Sequence, residues 1–332
     1  MTAQILLPFV TLAGSLALSW LLVGRVLVWL RRRAILDHPN DRSSHSVPTP
    51  RGGGWGVVLT VLPVWAAIAL AHGTAATVLP LLGAAAALVA VSWADDRRGL
   101  GPAPRFLVQM AAVAAGLAVL PPDGLVLQGL VPWWLDRVLA GFAWLWFVNL
   151  FNFMDGIDGL AGTEAATVGI GLALVATLAG AAPDLTLHGL AVAGAALGFL
   201  AWNWHPARVF MGDVGSVPLG YLLGWLLLAA AAAGAWEAAL LLPLYFLADA
   251  TITLLRRAAA GKKVWQAHRE HFYQKATQRG RSHDRVVLAV LAANAALIAL
   301  AVASLSAGWP AVPAGLLVVA GLLAHLARPA AA

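Results

Sequence analysis

Cysteine is missing and charge is scarce: none of the 332 residues is a cysteine, and only 11% are Asp, Glu, Lys or Arg. The first absence excludes disulfides and thiol chemistry. The second, with 61% hydrophobic residues and a mean hydropathy of +0.82, excludes the composition of an ordinary soluble domain. Residues 1–24, 55–94, 165–183, 214–236 and 286–327 contain no charged side chain at all. A spanning helix needs about 20 apolar residues, so the runs 55–94 and 286–327 each hold two helices, broken at His72-Gly73-Thr74 and at Ser306 to Pro310.

The same reading over the whole chain predicts an all-α, polytopic membrane helix bundle of about eleven spans, forming a single domain. The spans are expected near 4–30, 55–72, 76–93, 105–121, 135–152, 163–181, 186–203, 214–233, 237–256, 286–305 and 310–327. The N-terminal run has no basic segment before it and reads as a retained helix, not a cleaved signal peptide. Basic residues favour the cytoplasm in short loops. With the N-terminus outside and the C-terminus cytoplasmic, the inner segments hold nearly all Lys and Arg, and the outer ones hold only Arg137. The net charge of +6 is accounted for by topology and anionic membrane lipid, and nucleic acid need not be invoked.

Under that topology every acid/base cluster falls in the loops 31–54, 94–105, 153–163, 204–214 and 257–285, on one face, although only Lys and Arg were used to set it. The richest cluster is Asn149-Leu-Phe-Asn152-Phe-Met-Asp155-Gly-Ile-Asp158-Gly. On a helix, Asn152, Asp155 and Asp158 share a face, and acids beside lipid usually mark function. Asp213, between glycines at 212 and 215, suits a metal or a close phosphate, with Ser216 beside it as an anion partner. Adjacent Asp95 and Asp96 repel each other unless a cation relieves them. Dispersed carboxylates at 95, 96, 155, 158 and 213 are what Mg²⁺ on a diphosphate needs, with Mn²⁺ as a substitute.

Basic loops supply the anion partners. Arg42, Ser43, His45, Arg51 and Gly52-Gly-Gly54 suit oxyanions through charge and backbone amides. His268, Arg269 and His271 suit a diphosphate or a sugar, and Tyr273 or Trp265 suits stacking on a base. The two histidines lack the His-Glu-x-x-His spacing, so zinc is not expected on them. Asp249 lies inside the ninth span and needs a partner, for which Arg256 is the candidate; whether its role is catalytic or structural stays open.

Together these segments resemble the polyprenyl-phosphate N-acetylhexosamine-1-phosphate transferase family, over residues 37 to 275. The motifs are Pro39-Asn40-x-Arg42-Ser43-x-His45 with Pro48-Thr-Pro-Arg51-Gly-Gly-Gly, Asp95-Asp96, Asn149-x-x-Asn152-x-x-Asp155-Gly-Ile-Asp158-Gly-Leu-Ala, Phe210-Met-Gly-Asp213-x-Gly-Ser216, and the His268-Arg-x-His271 loop. The resemblance implies a metal role for Asp213, metal and base roles for Asp95 and Asp96, catalytic or nucleotide roles for Asn152, Asp155 and Asp158, and a site role for His271. Muramoyl-pentapeptide enzymes carry three consecutive histidines in that loop. The departure here points to the branch that initiates O-antigen or related surface glycans.

The implied reaction transfers an N-acetylhexosamine-type sugar-1-phosphate from a UDP-sugar to polyprenyl (undecaprenyl) phosphate, releasing UMP, on the cytoplasmic face of the inner membrane. Asp95 is the expected proton acceptor, and Asp213 with Asp96 the expected metal ligands. A homodimer is the expected assembly. A lipid-linked sugar transporter is the rival reading, but transporters place their sites at the membrane midplane, whereas these acids gather at one surface.

Overall fold

The computed structural model describes residues 2–39, 44, 47–121, 123–264, 266 and 268–329. Arg42, Ser43, His45 and Trp265, all singled out above, lie outside the described residues. The elements in chain order are α1 (Thr2–Arg32), β1 (Leu36–Asp37), β2 (Thr49–Pro50), α2 (Gly54–His72), α3 (Ala75–Arg98), α4 (Pro102–Ala118), α5 (Trp133–Phe153), α6 (Leu160–Leu178) and α7 (Pro183–Asn203). They continue with α8 (Asp213–Ala232), α9 (Trp236–Leu241), α10 (Leu244–Ala259), α11 (Phe272–Gln278), α12 (His283–Ala307) and α13 (Ala311–Ala327).

Helices α1, α2, α3, α6, α7, α8 and α12 are each long and apolar enough to cross a membrane. The remaining expected spans coincide with α4, α5, the α9–α10 pair and α13. The chain is an all-α, multi-pass membrane protein. Three local features depart from the expected pattern. The ninth span is broken at Leu242-Pro243, because proline removes a backbone donor and its ring clashes with the preceding turn. The loop after α1 closes through the antiparallel β1–β2 pair, and the basic loop after α10 folds into the short helix α11.

Helix α8 is the hub, packed against α2, α3, α5, α6, α7 and α9. Trp144 of α5 donates to the Tyr221 carbonyl at 2.9 Å and stacks on the Tyr221 ring, whose hydroxyl donates to Ala112 of α4 at 2.9 Å. Large apolar side chains such as Phe9, Leu70, Phe142, Leu255 and Leu317 point outward, as a lipid solvent allows. The C-terminal ends of α1, α3, α5, α7 and α10 and the N-terminal ends of α2, α4, α6, α8 and α12 form one face. At the opposite face, His72 and Thr74 both bond Asp184 and tie the α2–α3 turn to α7.

Two features bring α2 and α8 together at the polar face. The Gly52 and Gly53 amides donate to the Phe210 carbonyl at 3.1 and 2.8 Å, and the Gly54 amide donates to Met211 at 3.0 Å. Gly54 and Gly215 then cross in direct backbone contact, where a Cβ on Gly54 would lie 2.4 Å from the Gly215 Cα. The three glycine amides are therefore spent within the fold and are not offered to an oxyanion, contrary to the expectation for this loop. Gly54→Ala is expected to destabilise the protein by about 1–3 kcal/mol, the usual cost of overpacking. A melting temperature in detergent equal to that of the wild type would show that the crossing can open freely.

Candidate active site

The acids at the polar face gather because arginines stand among them. Arg51, carried into place by β2, puts Nη2 at 3.0 Å from Asp96 and 2.8 Å from Asp213. Asp96 ends α3 and Asp213 begins α8, so one guanidinium joins two helices through their carboxylates. Arg105 of α4 lies 2.5 Å from Asp95 and 3.8 Å from Asp213, and the Leu100 amide donates to the other Asp95 oxygen at 2.7 Å. Burial opposes the charge of Arg51, but the surrounding carboxylates, Asp96 and Asp213 foremost, more than offset it and raise its pKa.

From the α5 side, Asn152 donates to Asp213 at 3.4 Å and accepts from Ser216 at 2.6 Å. Ser216, expected to bind substrate, is fully buried and orients Asn152 instead. Asn149 bonds Gln109 of α4 at 3.0 Å. Asp155 follows the end of α5 and senses the charges of Arg51, Asp213 and Asp96. Among the described residues its carboxylate has no hydrogen-bond partner. Burial, with the neighbouring Asp213 and Asp96 charges and against Arg51, pushes its pKa up to about 7.

Asp158 goes elsewhere. Helix α5 stops at Phe153, and Gly159 adopts φ 79° at the start of α6, so the three-residue spacing loses its shared face. Asp158 instead meets His205 and His283, at 2.6 and 3.2 Å, and the Ala207 amide at 3.2 Å. Burial works to raise its pKa, but the hydrogen bonds from the two histidines prevail and lower it.

The loop histidines also depart from expectation. Asp249 does not reach Arg256, whose guanidinium lies over the Phe272 ring. It caps α11, accepting from the Phe272 and Tyr273 amides at 3.0 and 3.3 Å, and it lies 3.2 Å from His271 Nδ1. His271 is 2% exposed and stacked between His268 and Tyr273, so its ring is packed inside the loop. Burial, with the positive potential of His271 and Arg257, lowers the pKa of His268 to about 4. Arg269 lies in the same segment, its carbonyl held by Gln278. Tyr273 is buried and donates to the Phe153 carbonyl at 3.0 Å, so it braces the Asp155 turn and is not free to stack on a base.

Sequence reasoning missed Arg105 and Gln109 as members of the site, together with His205 and His283. The one signal for Arg105 was a cation a few residues beyond Asp95-Asp96. The donor set of Asp95, Asp96, Asp155 and Asp213 is all hard oxygen, which fits Mg²⁺. The Arg51 guanidinium, set between Asp96 and Asp213, stands where a cation is wanted.

Two cavities meet here. One of about 450 Å³ has a mixed lining, with Ser92, Arg105, Gln109, Asn149, Asn152 and Asp213 set among apolar residues such as Leu88, Val91 and Val217. An apolar groove of about 410 Å³ runs between α4, α5 and α10, along Phe142, Leu145, Trp146, Leu254 and Leu255. They share Phe106, Asn149 and Phe153 as a common wall.

The glycosyl transferase family 4 model matches residues 78–231. The decaprenyl-phosphate N-acetylglucosaminephosphotransferase of Mycobacterium tuberculosis is 30% identical over 312 residues, covering 82% of this chain and 76% of that protein. The chain belongs to the polyprenyl-phosphate N-acetylhexosamine-1-phosphate transferase superfamily. The transferase is also 29% identical over 273 residues to a probable undecaprenyl-phosphate N-acetylglucosaminyl 1-phosphate transferase of Bacillus subtilis, covering 77% of this chain and 73% of that protein. It is 34% identical over 245 residues to a phospho-N-acetylmuramoyl-pentapeptide-transferase of a Synechococcus strain, covering 68% and 69%.

A carboxyl with a folded-state pKa near 7 and an ordinary value of 3.8 holds its proton more tightly when folded. Stability therefore falls as pH rises between those values, and the cost is fully present above the higher one. Asp155→Asn removes that cost. In metal-free buffer its melting temperature should exceed the wild type's by a few degrees at alkaline pH, with the gain shrinking as pH drops toward 4. A gain that does not vary with pH would show that Asp155 is ordinarily ionised.

Proposed function

We propose that this transferase moves an N-acetylhexosamine 1-phosphate from a UDP-sugar to polyprenyl phosphate, giving polyprenyl diphosphate sugar and UMP, at the cytoplasmic face of the plasma membrane. The observation that carries this reading is the junction of the apolar groove with the carboxylate–arginine cavity at Phe106, Asn149 and Phe153. A molecule that fills both must have a long hydrocarbon tail and an anionic head. The family resemblance and the names of the relatives agree with that chemistry.

On this reading a phosphate oxygen of the lipid attacks the β-phosphorus of the donor. The bond from that phosphorus to the bridging oxygen breaks, and its electron pair leaves with UMP. Two anions approach only if their charge is offset and their geometry held. Arg51 and Arg105, already among carboxylates, supply positive charge at the meeting point. Asp96 and Asp213 are the residues we assign to hold Mg²⁺ or Mn²⁺, with Asp155 and Asn152 beside them. Bound there, the ion supplies further neutralisation of the diphosphate.

Asp95 was the expected proton acceptor, but both its carboxylate oxygens are engaged, by Arg105 and the Leu100 amide. Asp155 is the better candidate, since its carboxylate has no hydrogen-bond partner among the described residues and a base works best with a pKa near ambient pH. His268, Arg269 and His271 frame the donor side through α11 and do not themselves take part in proton transfer.

Purified protein should transfer radiolabel from UDP-GlcNAc or a related UDP-HexNAc to undecaprenyl phosphate and release UMP stoichiometrically. EDTA should stop transfer and Mg²⁺ restore it, while Asp213→Asn should lower kcat at least about 100-fold with no loss of folding. Labelled lipid absent with every donor in a HexNAc panel would refute the reading. Phe106→Asp should raise KM for the lipid acceptor about tenfold while leaving the donor KM unchanged, as expected for loss of one buried aromatic contact. Equal effects on both KM values would place the acceptor tail elsewhere.

A further inference from the structure

Asn149 has the residue type of a substrate partner, but its side chain has no N–H left to give. Nδ2 donates to the Leu145 carbonyl at 2.8 Å and to Gln109 Oε1 at 3.0 Å, which spends both hydrogens of the amide. The Leu145 carbonyl can only accept, so it fixes which end of the Asn149 amide is nitrogen. Asn149 in turn fixes Gln109: facing a donor, the Gln109 amide must present its oxygen. Gln109 Nε2 is thereby turned away from Asn149. It has no acceptor among the described residues, and it is not sealed from the cavity that Gln109 lines.

The place of that free donor in the fold is specific. Gln109 is the third residue after Phe106 and the fourth after Arg105 in α4, so it neighbours both on the helix surface. It lies about 10 Å along the helix from Pro102, inside the span. At 8% exposure, an amide at that depth is costly unless both of its ends are used, and Asn149 uses only one. Phe106 and Asn149 belong to the wall common to the apolar groove and the carboxylate cavity, while Gln109 lines only the cavity. A head group leaving the groove past Phe106 meets Gln109 next.

We infer that Gln109 Nε2 donates to the phosphate of the lipid acceptor while the tail lies in the groove, and that Asn149 is the positioning residue that orients this amide. The inference rests on the proposed polyprenyl phosphate acceptor and assigns its head group a partner. An ionised phosphate offers oxygen acceptors with charge, which suits an N–H more strongly than a neutral hydroxyl does. Arg105, one turn nearer the polar face, is already shared between Asp95 and Asp213. A further cation at position 109 would be drawn to the same carboxylates, whereas a neutral amide stays available to the phosphate.

Binding of undecaprenyl phosphate and of undecaprenol to the full-length protein in detergent, read by native mass spectrometry, separates head from tail without any turnover. Gln109→Met removes the amide at nearly constant length, and Gln109→Glu keeps an acceptor for Asn149 but replaces the donor with negative charge. Affinity for undecaprenyl phosphate should fall about tenfold in Gln109→Met, and further in Gln109→Glu at alkaline pH. Affinities for undecaprenol and for UDP-GlcNAc should stay at wild-type values in both. Asn149→Ala should lose part of the same preference for phosphate, and the double variant with Gln109→Met should lose no more than Gln109→Met alone. Wild-type phosphate affinity in folded Gln109→Glu would overturn the assignment and leave Gln109 as a brace for Asn149. Equal losses for phosphate and alcohol, or an equal loss for UDP-GlcNAc, would overturn it too. A wild-type protein that holds the alcohol as tightly as the phosphate would overturn it together with the acceptor reading beneath it.

Discussion

The polar face of this protein is held together by one cation between like charges. Asp96 and Asp213 end and begin helices that would otherwise repel at their tips, and Arg51 makes their approach favourable. Arg51 directly follows β2, and its position is fixed by the Gly52, Gly53 and Gly54 amides bound to the 210–211 backbone. The backbone crossing at Gly54 and Gly215 is thus part of the electrostatics. Remove the close approach and the guanidinium loses its second carboxylate.

Hydrogen-bond partners divide the acids into kinds. Asp95 and Asp213 are satisfied by donors, whereas Asp155 is crowded by charge and has no donor among the described residues. A group in that condition costs stability in the free protein and gains most from an arriving cation or proton. Asp249 shows the opposite solution: a carboxylate buried in a span is made tolerable by two backbone amides, a tyrosine, a threonine and a histidine.

Span positions were legible because hydropathy over 20 residues is a local property, and the eleven predicted segments coincide with helices. The broken ninth span was legible only as Pro243 within an apolar run. The gathering of Asp95, Asp96, Asp155 and Asp213 could be anticipated from loops sharing a face. Partner choice could not, since it depends on contacts between residues more than a hundred positions apart, as for Arg51 with Asp213. Asp158 misled because a three-residue spacing implies a shared face only while the helix lasts, and α5 ends five residues earlier. Ser216, His271 and Tyr273 carry reactive groups, yet each is turned inward to hold a backbone or a neighbour.

The groove between α4, α5 and α10 opens sideways, its rim formed by outward-facing Phe142 and Leu255, while the carboxylate cavity opens at the polar face. On the proposed reading the two reactants arrive from different phases, one by diffusion in two dimensions and the other in three. The rate would then follow the mole fraction of acceptor in the leaflet and not its bulk concentration, and diluting the membrane with inert lipid would slow the enzyme with every soluble concentration unchanged.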